Sequence, residues 1–163
     1  RSTLSSSSAA SDVYKRQNIY YPTEKEEVKI VETTTIGYEP EVSSVLTREE
    51  ILKLMDIVRR MPVAPKLIEE VVRFVNLTRP SENSSVPKFI KEWVSWGASP
   101  RASQYLILGA KARALLEGRP VPSWDDVKSV ALPVLRHRLI LNFAAEAEGV
   151  TSDMVVEKLL NLI

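Results

Sequence analysis

The chain has 163 residues, 44% hydrophobic and 26% charged, and its 22 Lys+Arg against 21 Asp+Glu leave a net charge of +1; this is ordinary globular composition, long enough for one domain with a real core. No field of either sign is available to draw in nucleic acid or an anionic membrane surface, and no stretch approaches the roughly 18 apolar residues of a membrane span. The lack of cysteine removes disulfides, thiolate metal sites and cysteine nucleophiles, while a single histidine, His137, leaves little from which to build a metal centre or a Ser-His-Asp triad.

Residues 1–17 carry four consecutive serines, Ser5 to Ser8, few apolar groups and no periodicity. They cannot bury a face and predict a disordered leader. They also lack the apolar central run of a secretory signal. The stretch resembles translated adaptor sequence of the kind found at the ends of assembled environmental gene fragments. With no initiating methionine, the chain reads as a piece of something longer.

From Tyr20 onward the sequence predicts helices with very little strand. Thr23/Glu26, Thr47/Glu50 and Ser123/Asp126 each place a hydroxyl at a cap and an acid three residues later. Such a pair satisfies orphan N–H groups reciprocally and sets the acid against the positive end of the helix dipole. After Thr47, Ile51, Leu54, Met55 and Val58 follow the template of a one-faced helix. Leu67, Ile68, Val71, Val72 and Val75 repeat it in a second, which Thr78-Arg79-Pro80 ends. A polar loop over 80–86 leads to a short segment with Phe89, Ile90, Trp93 and Val94, closed by Gly97. Ser99-Pro100 then opens a helix that runs to about Glu117. Its Gly109, Ala110, Ala112 and Ala114 would let another helix come close, which suits the centre of a bundle. Pro133 is expected to split a helix at 124–131 from another at about 133–145 that stops at Gly149. Thr151 caps the last helix, with Met154, Val155, Leu159 and Leu160 facing inward. The expectation is an all-α, compact helical bundle over 18–163, preceded by the disordered leader.

Five ungrouped glycines and no Gly-x-x-x-x-Gly-Lys-Ser/Thr motif leave the chain without a phosphate loop of its own. Arg101 carries the most chemistry. It stands in the first turn of the Ser99-Pro100 helix, where the dipole already disfavours a cation unless an anion approaches. Two readings stay open: a surface arginine paired with a nearby acid, or a phosphate site made by the guanidinium and first-turn N–H groups. His137 reads as packing, since no nucleophile is placed beside it. Trp93, Trp96 and Trp124 read as core or interface, and Glu24, Glu26 and Glu27 as capping and solvation rather than a metal cluster. Arg59-Arg60 and Arg136/Arg138 are too small for a nucleic-acid footprint.

Gly97-Ala-Ser-Pro-Arg-Ala102 with its alanine-rich helix, Gly118-Arg119, Asp125-Asp126-Val127 and Val134-Leu-Arg-His-Arg-Leu139 together resemble the C-terminal part of MoxR-family AAA+ ATPases. Tyr21-Pro22 with Glu26-Glu27, Thr78-Arg79-Pro80 and Ala145-Glu-Ala-Glu-Gly149 fit in the same order, so the resemblance covers about residues 18–163. It implies a helical bundle of the AAA+ lid type and makes Arg101, presented by Ser99 and Pro100, the sensor 2 arginine that reaches the terminal phosphates of ATP. The phosphate loop, the acidic Mg2+ motif, sensor 1 and the arginine finger would lie in an α/β core that these residues do not include. The 163 residues alone should therefore not hydrolyse ATP, although the intact protein would. The resemblance further implies a cytoplasmic, chaperone-like, homo-oligomeric ring, usually a hexamer, and partners with a von Willebrand factor A domain. The near-neutral charge, independently of the resemblance, argues for no nucleic-acid partner. The competing expectation is a free-standing helical interaction module, without nucleotide chemistry, whose small-residue helix and tryptophans bind a partner.

Overall fold

Helices begin where a hydroxyl and a nearby acid can satisfy first-turn N–H groups that have no partner within the helix. A computed structural model describes residues 20–37, 43–81 and 85–163, and the expected leader over 1–17 lies outside the described residues. Helix α1 (Glu24–Thr35) and helix α2 (Arg48–Arg60) both start on a capping box. Glu26 accepts the backbone N–H and the hydroxyl of Thr23 at 2.8 and 2.7 Å, and Glu50 does the same for Thr47 at 2.7 and 2.8 Å. Those bonds, the backbone one foremost, hold both carboxyls below their usual range. At the far end of α1, the hydroxyls of Thr33, Thr34 and Thr35 turn back to carbonyls one turn earlier, a local alternative to continued helix.

The body follows as α3 (Pro65–Leu77), α4 (Lys88–Trp93), strand β1 (Val94–Trp96), α5 (Pro100–Leu116), α6 (Trp124–Leu135), strand β2 (Ile140–Leu141), α7 (Phe143–Ala147) and α8 (Ser152–Leu160). Helix α5 is central, packed against α2, α3 and α6, and α6 in turn carries α8. Phe74, Val71, Ile90, Leu106, Val127, Leu135, Val155 and Leu159 are fully buried in this core, with Trp124 set edge-on to Phe74 at 5.6 Å. The small residues of α5 do what their size predicts. A Cβ placed on Gly109 would stand 3.2 Å from Val130 Cγ2, so α6 lies as near as a bare backbone allows. Between α5 and α6, Gly118 takes φ 71°, and the Arg119 and Gly118 amides return to the carbonyls of Ala114 and Leu115, closing α5 with a left-handed turn.

The structure departs from the sequence reading at three places. Pro133 does not split a helix, because α6 runs through it to Leu135. The ring lies on an exposed face, and the carbonyl deprived of its donor belongs to exposed Ser129, where water can serve it, while buried Val134 and Leu135 hold the last turn. No single helix spans 133–145: α6 ends at Leu135 and α7 begins at Phe143. Ile140–Leu141 instead pairs antiparallel with Val94–Trp96, in the register Val94↔Leu141 and Trp96↔Ile140. Asn142 fixes that junction, donating its backbone N–H to Trp93 O and Nδ2 to Glu92 O while Oδ1 caps α7 at Ala145 N. In α8 Val155, Val156 and Leu159 are buried and Leu160 packs partly against the core as expected, with Met154 turned out at 51% exposure. Of the three tryptophans expected in the core or an interface, Trp93 and Trp124 pack on the core and Trp96 is 71% exposed beside Ile140.

Candidate functional site

The start of α5 is built from both sides of the sequence. Ser99 is extended, with φ −74° and ψ 168°, and Pro100 takes the first helical position with its φ already suited to the helix. Ser99 makes no side-chain cap bond; Ala102 N–H turns to Ser99 O at 2.9 Å. Arg101 is exposed, and among the described residues it has neither an ion pair nor a side-chain hydrogen bond. The nearby acid of the simpler reading is therefore not found among those residues.

Behind this turn stands the C-terminal end of α3. Thr78 is completely buried, and its hydroxyl donates to Val75 O at 2.6 Å while accepting Ala98 N–H at 3.0 Å. The next residue, half-buried Arg79, donates Nε–H to Ala98 O at 2.8 Å. Gly97 presses so closely on this end that a Cβ there would fall 2.4 Å from Thr78 O, which only glycine tolerates. Two motifs nearly twenty residues apart, Thr78-Arg79-Pro80 and Gly97-Ala98-Ser99-Pro100-Arg101, thus form one unit. Sequence reading took Thr78 and Arg79 as a helix stop and as part of the family resemblance, with no role for either side chain. A threonine and an arginine at a helix end are common polar choices, and nothing in their spacing announces a distant backbone partner.

The strongest electrostatic arrangement lies at the α5–α6 turn. Asp126, 2% exposed, accepts Arg119 Nη1 at 2.7 Å and a second guanidinium bond from Nη2, and it also caps α6 by taking the Ser123 N–H and hydroxyl at 2.7 and 2.9 Å. The Arg119 bond, opposed by burial, leads the causes that bring the Asp126 carboxyl down to about 2, and the same bond raises Arg119. Arg119 also reaches Glu117 at 2.7 Å. This cluster ties down a turn and leaves no unsatisfied charge for chemistry.

His137 lies half-buried against Arg138, whose guanidinium also contacts Val134 O and stacks 5.1 Å from the Tyr105 ring centroid. Arg136 pairs with Asp153 of α8 at 3.0 Å. Trp93 packs on the core and donates Nε1–H to Glu148 at 3.0 Å, with Lys158 held 4.6 Å over its ring and 4.7 Å over that of Phe89. Among the described residues no group of three His, Asp or Glu is placed to hold a metal ion, and no helix is long and apolar enough to cross a membrane.

Residues 88–159 match the family model of the AAA lid domain. Chaperone MoxR1 of Mycobacterium tuberculosis is 34% identical over 146 residues, 90% of this chain and 38% of its own length. Protein MoxR of Paracoccus denitrificans is 46% identical over 50 residues, 31% of this chain and 15% of its own. A crystal structure of a candidate ATPase from Cytophaga hutchinsonii shares the fold with a TM-score of 0.75 at 25% identity, over 89% of this chain and 44% of that one. The chain thus spans less than half the length of the relatives named here.

Proposed function

From the premise that this chain belongs to the MoxR family of AAA+ ATPases and carries an AAA lid domain, we propose that residues 18–163 close over ATP held by an α/β core, with Arg101 as the sensor 2 arginine and Ser99 and Pro100 shaping the turn that presents it. The observation that carries this reading is an exposed arginine in the first turn of a 17-residue helix, unpaired among the described residues. A cation at the positive end of a helix gains little from its own protein, whereas a polyanion would meet the guanidinium and the dipole together. A phosphate tail has that charge. Bound ATP supplies the phosphoryl group transferred to water, and Mg2+ would be held by the core. The part of this chain is to bring Arg101 against terminal phosphate oxygens when the bundle closes and to pass the nucleotide state to a neighbouring subunit. The intact protein is, on this reading, a cytoplasmic chaperone-like ring, a hexamer in the usual case, working with von Willebrand factor A domain partners. The 163 residues alone should bind ATP weakly and not turn it over.

The test is ATP turnover and melting midpoint of the full-length protein carrying Arg101→Ala or Arg101→Lys. A matched control is Arg48→Ala, which removes an exposed arginine from the first turn of α2. The alanine variant should lose turnover far more than ATP affinity, because an interaction formed on closure acts mainly after binding. Lysine should restore part of it, keeping the charge without the planar fork. Parental turnover in Arg101→Ala, or an equal loss in Arg48→Ala, would return Arg101 to an ordinary surface charge. The rival reading, an interaction module without nucleotide chemistry, draws on the exposed Ile51, Leu54 and Met55 of α2, and it predicts that no arginine variant changes turnover.

A further inference from the structure

We propose that Thr78 and Arg79 are positioning residues for Arg101: they fix the peptide on either side of Ala98 and so decide the direction in which α5 leaves the core. This rests on the reading of Arg101 given above. Ala98 is 1% exposed, and both its backbone polar groups are taken by consecutive residues of α3's end, the N–H by Thr78 Oγ1 and the carbonyl by Arg79 Nε. Gly97, immediately before it, rests on the Thr78 carbonyl without room for a methyl group. The start of α5 has no side-chain cap of its own from Ser99. Its direction is therefore set from outside, by two hydrogen bonds and a steric stop supplied by α3. Arg101 follows Ala98 by three residues, within the first turn, so a displacement of that peptide is carried directly into the position of the guanidinium. Displacements of an ångström at a reacting group are enough to slow chemistry greatly even when binding survives.

The test uses two readouts. In the 163-residue chain, hydrogen exchange at the Ala98 amide reads the clamp itself. Thr78→Val removes the acceptor while keeping the shape and should speed exchange about tenfold or more, since a lost hydrogen bond lowers the cost of local opening; Thr78→Ser should restore the parental rate. Should Thr78→Val fail to fold, Arg79→Ala alters a half-buried side chain and reads the same amide through its neighbouring carbonyl. In the full-length protein, Arg79→Ala should lower kcat by about tenfold to a hundredfold with KM near parental, and it should cost nothing further in an Arg101→Ala background. Arg79→Lys should rescue poorly, because lysine has no donor at the position of Nε. An equal loss in both backgrounds, a parental kcat in Arg79→Ala, or unchanged Ala98 exchange in both Thr78→Val and Arg79→Ala would overturn the positioning role while leaving the sensor reading intact. Parental turnover in Arg101→Ala would instead remove the sensor reading, and the positioning role with it.

Discussion

Helices α2 and α3 carry nearly the same amphipathic pattern and have opposite fates. In α3, Leu67, Val71, Phe74 and Val75 are buried, whereas α2 buries nothing, leaving Ile51, Leu54 and Met55 between 42% and 49% exposed. Helix α1 likewise buries no residue. Helix α2 touches the body near its C-terminal end, where Lys111 donates to Arg59 O at 3.0 Å and Val58 is half-covered. Every buried hydrophobic among the described residues lies from Met61 to Leu159. An apolar stripe records that a helix has a face to cover; it does not record which surface covers it. Capping and periodicity make a helix, and only a second apolar surface makes it part of a core.

That contrast sets the order of expected losses. Phe74→Ala should be the most costly, about 3 to 5 kcal/mol in urea unfolding, since it removes a fully buried ring together with the seat of Trp124. A loss below 1 kcal/mol would mean that the body is no better packed than α2. Asp126→Asn should come next at neutral pH, about 1.5 to 3 kcal/mol, because it removes the charge and turns one of two accepting oxygens into an NH2 that cannot accept from Arg119. With the folded Asp126 carboxyl brought down to about 2 from an ordinary value of 3.8, its contribution is complete above that ordinary value and is lost as pH falls through about 2. The difference between parent and variant should therefore close between pH 4 and 2, and a difference that stays constant would remove the charge from the explanation. Leu54→Ala should be the mildest, below about 1 kcal/mol, as expected for a half-exposed side chain with no cavity to leave behind. A loss matching that of Phe74→Ala would make α2 a full member of the cooperative unit.

Much of the helical framework was legible because its signals are local. Thr23, Thr47, Ser123 and Thr151 precede helices in the structure as their sequence positions predict, and Ser99-Pro100 opens α5. The ribbon was hidden because strands of three and two residues are too short to show a period, and its register depends on Asn142 meeting Glu92 and Trp93 across the fold. Pro133 misled because a proline's cost depends on whether water can reach the carbonyl it strands, which sequence does not disclose. At the candidate site, the exposed arginine could be read from its place in the first turn. Thr78, Arg79 and the tight seat of Gly97 could not, since each acts on backbone that only tertiary structure brings near.

The short ribbon also bears on the order in which the chain assembles. Asn142 and Glu92, 50 residues apart, meet there, and closing so long a loop costs conformational entropy that a strand pair of this length cannot offset alone. Helices α5 and α6 lie between the two strands in sequence, and their packing against each other brings the ends together. The ribbon therefore depends on that helical pair for its closure, while buried Val94 ties it to the core. Since β1 runs directly into Gly97 and Ala98, the peptide that leads into α5 is held by the ribbon on one side and by Thr78 and Arg79 on the other.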